Sequence, residues 1–200
     1  MEYCFDIGMH VINRSPVSCA WRTSFCSKNC YNKKLYKVFG HVMNPKDVRN
    51  DQEWEELTGE KVRKFLKTRK YNARIRLCSR GEAFSSENDI DKINDLLTKN
   101  PDTLFWIPTR AWRGPLRERV KGVMSLENAR ILASIDPSNT QEEIAELISD
   151  GWSTMFFGDD HDTDNRLQCP KTWNKEKKAC YTCKNGCFSK ERVDIHLKKH

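Results

Sequence analysis

The chain has 200 residues, of which 38% are hydrophobic and 32% charged, which is enough for one substantial domain or one domain with a small addition. No apolar run approaches the roughly 20 residues of a membrane-spanning helix, and the first residues lack the basic and apolar regions of a signal peptide. The net charge of +7 lies in residues 166–200, which hold ten Lys and Arg against three Asp and Glu. We therefore expect a cytoplasmic protein with no membrane contact and a basic C-terminal segment.

The first third of the chain predicts one strand, a loop and two helical stretches. Residues 3–12 read as a strand, and residues 15–31 read as a loop that carries three cysteines. Residues 27–40 and 45–72 have helical spacing, and the second stretch is interrupted around Thr58 and Gly59. Residues 73–78 then alternate between apolar and polar side chains, as a strand does.

In the rest of the chain, strands and helices alternate. Ser86 and Thr140 each begin a segment that resembles a helix with a capping box, and a short helix is predicted from about Leu116. Apolar runs predict strands at residues 104–108, 130–135 and 153–157. This alternation is typical of parallel βαβ units. It predicts an α/β fold over residues 1–165, either a partial TIM-like barrel or an open parallel sheet, with residues 166–200 as a Cys-rich metal-binding appendage.

Polar residues follow every predicted strand, at the edge where α/β sheets bind their ligands. Gly81 and Glu82 follow one strand, and Ser134 and Asp136 stand at the end of another. The loop with the first three cysteines also follows a strand. We therefore expect these groups to meet at one edge of the sheet.

The nine cysteines are the strongest functional signal. Clustered cysteines in a reducing compartment hold metal more often than they form disulfides. Cys4 and Cys78 stand alone in apolar surroundings and are predicted to be small core residues. The other seven fall into two groups.

The first group, Cys19, Cys26 and Cys30, supplies three thiolates from a loop that leads into a helix. Three protein ligands leave one coordination position open. The group therefore fits an iron–sulfur cluster with an exogenous ligand, a zinc ion that holds a water, or a structural zinc with His10 or His41 as the fourth ligand.

The second group, Cys169, Cys180, Cys183 and Cys187, fits a closed site with four thiolates, which carries structure or electrons. An alternative is a Cys2His2 zinc finger made of Cys180, Cys183, His196 and His200. The finger leaves Cys169 and Cys187 unexplained, so the four-thiolate interpretation is favoured.

These motifs resemble a known family. The Cys loop, the segment Arg74–Ser86, the strands at residues 104–110 and 132–136, and the closing cysteines look like those of gene-product-88-like phage proteins. That family in turn resembles an outlying branch of radical S-adenosylmethionine (SAM) enzymes. The resemblance covers roughly residues 10–196. It implies a partial TIM barrel in the cytoplasm of the phage's host.

The resemblance also implies cofactors and ligands. A 4Fe–4S cluster would sit on Cys19, Cys26 and Cys30. SAM would bind through its amino group at Gly81 and Glu82 and through its ribose or carboxylate near Ser134 and Asp136. The implied second metal site, an auxiliary 4Fe–4S cluster or zinc, uses the four remaining cysteines, which are Cys169, Cys180, Cys183 and Cys187.

Two functions remain open at this point. The first is an enzyme that cleaves SAM to a carbon radical, with an unknown substrate. The second is a non-enzymatic phage accessory protein, stabilised by zinc or a cluster, that binds nucleic acid or a host protein through its basic residues. Residues 61–76 carry eight Lys and Arg and no acidic residue, which favours a polyanion partner, although a solvated helix face has the same composition.

Overall fold

The computed structural model describes residues 1–4, 6–68, 74–159, 166–173, 180 and 183–198, which form an α/β fold around one sheet of eight strands. The strands are β1 (Glu2–Cys4), β2 (Met9–Ile12), β3 (Arg74–Leu77), β4 (Leu104–Thr109), β5 (Ala129–Ile135), β6 (Ser153–Phe157), β7 (Leu167–Gln168) and β8 (Asp194–Leu197). Their order in the sheet is β1-β2-β3-β4-β5-β6-β8-β7. Only β1 is antiparallel to its neighbour. The α/β prediction is confirmed in its open-sheet form, because the sheet does not close into a barrel.

The helices connect successive strands. They are α1 (Ser24–Asn29), α2 (Tyr31–Glu55), α3 (Gly59–Lys67), α4 (Glu87–Lys99), α5 (Arg117–Met124), α6 (Gln141–Ser149) and α7 (Pro170–Trp173). The predicted caps are confirmed: the side chains of Ser86 and Thr140 accept hydrogen bonds from the backbone N–H groups of Asp89 and Glu143. No helix in the described ranges is both long enough and apolar enough to cross a membrane.

The N-terminal region differs from the prediction in two places. Residues 3–12 form a hairpin of β1 and β2 rather than one strand, because the N–H groups of Ile7 and Gly8 both bond to the carbonyl of Cys4. Gly8 has the positive φ of 71° that this turn requires. The two predicted helical stretches are instead α2, which continues through Pro45, and α3, which is capped by Thr58 at the predicted interruption.

The Cys-rich C-terminal segment is joined to the sheet. Strand β8 pairs with β6 on one side and with β7 on the other. The segment predicted to be an appendage therefore extends the same sheet by two strands. The boundary between residues 165 and 166 stays a prediction.

The two faces of the sheet are covered by different parts of the chain. Alternate strand residues such as Ile75, Phe105 and Ile107 pack against the helices in the main core. The residues between them form what we call the second face, and they pack with residues of the Cys-rich segment. The second face is lined by Met9, Val11, Trp106, Leu132, Met155 and Ile195.

Candidate metal and ligand sites

The first cysteine group lies on the chain between β2 and α2. A short 3-10 turn, Pro16–Ser18, precedes Cys19, and the side chain of Thr23 accepts a 2.9 Å hydrogen bond from the N–H of Cys26 at the start of α1. Cys30 is the residue between α1 and α2 and ends one helix while it begins the next. All three thiols are free and partly buried. We call this group, with the strand ends around it, the edge site.

The electrostatics show that the three thiols share one environment. Burial raises the pKa of Cys19 to about 12, and the negative charges of Glu82, Cys26 and Cys30 add to this rise. Burial also raises the pKa of Cys26, while the nearby guanidinium of Arg110 opposes the rise. Without a metal, the thiols of Cys19 and Cys26 are therefore protonated at neutral pH, and a metal ion would have to displace their protons.

Gly81 is required by the packing of the Cys loop. Its φ is +83°, and a Cβ there would stand 2.7 Å from Ser18 Oγ and 2.8 Å from both Arg14 Cβ and the carbonyl oxygen of Ser15. Because Gly81 has no side chain, the segment around Arg14, Ser15 and Ser18 can pack directly against its backbone. This packing is enough to explain a glycine at position 81, with no ligand required. The role of Gly81 in SAM binding therefore stays a prediction.

Glu82 is a buried acid that joins two strand ends. Its side chain accepts hydrogen bonds from Thr109 Oγ1 at 2.7 Å, from the N–H of Arg110 at 2.9 Å and from the N–H of Phe84 at 3.1 Å. Only 6% of the residue is exposed, and burial raises the pKa of its carboxyl group despite these bonds. Glu82 therefore fixes the backbone from which Arg110 projects.

Asp136 forms a buried ion pair at the same edge. Its carboxylate is 2.9 Å from Arg110 Nη1 and accepts hydrogen bonds from Thr23 Oγ1 at 2.6 Å and from the N–H and hydroxyl of Ser138. Ser134 contributes its carbonyl oxygen, which accepts from Trp112 Nε1 at 3.0 Å. The structure thus brings Glu82, Ser134 and Asp136 together around Arg110.

The sequence predicts Arg110 only as one of the polar residues that follow a strand and assigns it no role in ligand binding. Arg110 links Asp136, the backbone held by Glu82 and the side of the edge site where Cys26 lies. The sequence feature that could have identified Arg110 as a site residue is its position directly after the apolar strand that ends at Thr109. Charged residues at such positions are common, so the signal was weak.

The second cysteine group lies on the second face of the sheet. Cys169, Cys180, Cys183 and Cys187 line one cavity of about 30 Å³, which we call the cysteine pocket. The remaining walls are mainly apolar and consist of Trp106, Pro170, Phe188, Ile195 and Leu197.

The four thiols of the cysteine pocket influence one another. Burial raises the pKa of Cys187 to about 12, with further contributions from Cys183, Cys169 and Cys180. Burial raises the pKa of Cys180 to about 11, although the positive charge of Arg76 acts in the opposite direction. Within the described ranges, no three His, Cys, Asp or Glu side chains are arranged as a ready-made metal-binding group.

The sequence of the chain matches one known protein family. A family model described as Gene product 88 matches residues 8–190. The chain belongs to the gene product 88 family. No curated protein and no solved structure matches it. The gene product 88 assignment is thereby confirmed, whereas the relation to radical SAM proteins and the cluster, SAM and zinc sites stay predictions.

The zinc-finger alternative is not supported by the position of His196. Its neighbours Ile195 and Leu197 line the cysteine pocket, so His196 points to the opposite face of the sheet. There its Nε2 lies 2.8 Å from the carbonyl oxygen of Gly158, and its ring packs edge-on against Phe156 and Trp173. His200, the other predicted ligand, lies outside the described residues.

The remaining candidate residues have clear positions. Cys78 is confirmed as a core residue, since 4% of it is exposed and it packs in the main core. Cys4 packs against the cluster of Ile7, Met9 and Val11 on the second face. His10 contacts the rings of Tyr3 and Phe65, and His41 is exposed on α2.

The basic stretch at residues 61–76 divides into two parts. The side chains of Lys61, Arg63, Lys64 and Lys67 are exposed on α3. Arg74 and Arg76 instead lie on the second face, each 4.6 Å from an aromatic ring centre. Residues 69–73, like much of the basic C-terminal segment, lie outside the described residues.

Proposed function

We propose that this member of the gene product 88 family is an iron–sulfur protein that binds SAM at its edge site. The observation that carries the proposal is the grouping of Cys19, Cys26 and Cys30 beside the carboxyl ends of parallel strands, where α/β proteins bind ligands. Three thiolates suit a 4Fe–4S cluster whose fourth iron accepts an exogenous ligand. When bound and reduced, such a cluster supplies the electron that cleaves SAM to a carbon radical.

The chemistry of the donors and their surroundings supports this proposal. All three donors are partly buried thiols, and the guanidinium of Arg110 lies next to Cys26, where it would offset the negative charge of the thiolates. Thr23 connects the loop to the strand ends, because it caps α1 and also donates to Asp136. The loop is therefore fixed relative to the residues that would surround a ligand.

We expect anaerobic reconstitution with iron and sulfide to give a brown protein, and Cys26→Ala to lose that colour and most of its iron. The physical reason is that the substitution leaves the cluster with only two of its three protein ligands. Iron and sulfide analysis of both proteins measures the effect. Cys4→Ala is the matched control, since Cys4 lies outside both cysteine groups. Colourless wild-type protein, or unchanged iron in Cys26→Ala, would contradict the proposal.

Glu82→Gln is expected to weaken SAM binding by about ten- to a hundredfold while the iron content stays constant. A hydrogen bond to a charged group contributes roughly 1.5–3 kcal/mol, and the substitution removes the charge but keeps the shape. Isothermal titration of the reconstituted proteins with SAM measures the affinity. If Glu82 only supports Arg110, the variant will unfold more easily but bind SAM as the wild type does.

Binding of nucleic acid or of a host protein is the second candidate function. It is favoured by the exposed basic side chains of α3, among them Arg63 and Lys64. In that case both cysteine groups would be structural. The reconstitution experiment separates the candidates, since a colourless protein that binds DNA with strong salt dependence would favour the second.

A further inference from the structure

One residue that lines the cysteine pocket has a buried indole N–H without a hydrogen-bond partner among the described residues. Trp106 lines the pocket together with the four cysteines, and only 6% of this residue is exposed. Its Nε1 is buried and has no hydrogen-bond partner among the described residues. An unpaired buried donor costs about 1–3 kcal/mol, so its position calls for an acceptor.

A partly buried positive charge lies beside this tryptophan. Arg76 is the direct neighbour of Trp106 across the β3–β4 pair, and its guanidinium carbon lies 4.6 Å from the indole ring centre. Its Nε is also buried and without a partner in the described part of the chain. One unsatisfied donor therefore belongs to a residue of the pocket wall, and a second, cationic donor lies beside that residue. Apart from its thiols, the pocket is lined by apolar side chains.

The occupant that satisfies these groups is negatively charged and sulfur-rich. A divalent ion on four thiolates carries net negative charge, and its sulfurs accept hydrogen bonds from surrounding N–H groups. The cavity of about 30 Å³ has room for one or two water-sized groups, which suits a single ion better than a cluster of eight atoms. Four thiolates around one ion are the usual structural zinc site.

We infer that Cys169, Cys180, Cys183 and Cys187 hold a single zinc ion against the second face, and that Arg76 and Trp106 stabilise the charge of its thiolates. This site is separate from the edge site and does not depend on it. Arg76 and Trp106 are positioning residues in this arrangement, because Trp106 lines the pocket, the charge of Arg76 acts on Cys180, and neither residue is a metal ligand. Outer-shell partners of this kind typically change metal affinity by about 10–100-fold.

The identity of the metal can be tested without interference from the edge site. In a variant with Cys19, Cys26 and Cys30 all replaced by Ala, we expect one zinc per chain and no sulfide. Cobalt in place of zinc should show the charge-transfer absorption of four thiolates. Iron with sulfide, or no bound metal, would overturn the inference. Cadmium-113 NMR of the unmodified chain, whose shift reports the number of sulfur ligands, gives the same answer if the triple variant does not fold.

The role of the two second-face residues has its own test. Arg76→Met and Trp106→Phe are expected to weaken zinc binding by about 10–100-fold in competition with a chelator, with one zinc per chain still bound at saturation. The cobalt charge-transfer bands should also shift, which loss of packing alone would not cause. Arg119→Met, on the exposed surface of α5, is the control. Unchanged affinity and unchanged bands in both variants would overturn this assignment.

Discussion

Arg110→Met is expected to destabilise the metal-free protein by about 3–5 kcal/mol, the usual consequence of removing one partner of a buried ion pair. Asp136 is fully buried, and the substitution leaves its carboxylate without a counter-charge. The hydrogen bonds from Thr23 and Ser138 remain, but they carry no positive charge. Urea unfolding of the variant and the wild type measures the difference.

Arg117→Met provides the matched control for this experiment. Arg117 also pairs with carboxylates, Glu146 and Asp150, but all three side chains are partly exposed. Exposed pairs contribute about 0–1 kcal/mol, so this variant should unfold almost as the wild type does. Equal losses in the free energy of unfolding would contradict a larger contribution from the buried Arg110–Asp136 pair.

The same ion pair should be visible in the pH dependence of stability. Burial acts to raise the pKa of Asp136, but hydrogen bonds from Ser138 and Thr23 and the charge of Arg110 outweigh it, so the pKa lies below its usual range. A lowered folded-state pKa contributes stability above the unfolded value of about 3.9 and loses it as pH falls through the folded pKa. The stability difference between wild type and Asp136→Asn should therefore shrink below about pH 4.

The central strands and helices could be predicted because their signals are local. The strands β4 and β5 are continuous apolar runs, and the side chains of Ser86 and Thr140 bond to backbone groups three residues away. Such patterns need no information about distant parts of the chain. The same holds for the edge site, because consecutive parallel strands bring their carboxyl ends together.

The position of the Cys-rich segment could not be predicted, because its strands are defined by distant partners. Strand β8 has four residues and β7 has two, and both lie among Lys and Cys residues without a clear strand pattern. Pairing of β8 with β6 joins residues 40 positions apart, such as Thr154 and Asp194. Unless this pairing is known, the sequence does not indicate that the cysteine pocket lies next to Trp106. It also does not indicate that His196 lies on the opposite face of the sheet from the pocket.

Cys183→Ser is expected to have the largest effect on folding. Zinc binding to a structural site contributes on the order of 10 kcal/mol at neutral pH, which is comparable with the whole stability of a domain. The cysteine pocket also joins the C-terminal segment to the second face, so loss of the proposed zinc ion would expose apolar residues such as Trp106 and Ile195. The variant should be insoluble or rapidly cut by proteases after residue 166.

Limited proteolysis and thermal unfolding of the zinc-loaded protein measure this effect. Treatment of the wild type with a strong chelator should reproduce the behaviour of Cys183→Ser, because both remove the same ion. Cys4→Ser is the control, since Cys4 also packs on the second face but does not line the pocket. Wild-type melting and protease resistance in Cys183→Ser would contradict a structural role for the ion. If only the chelator had an effect, the ion would not depend on Cys183.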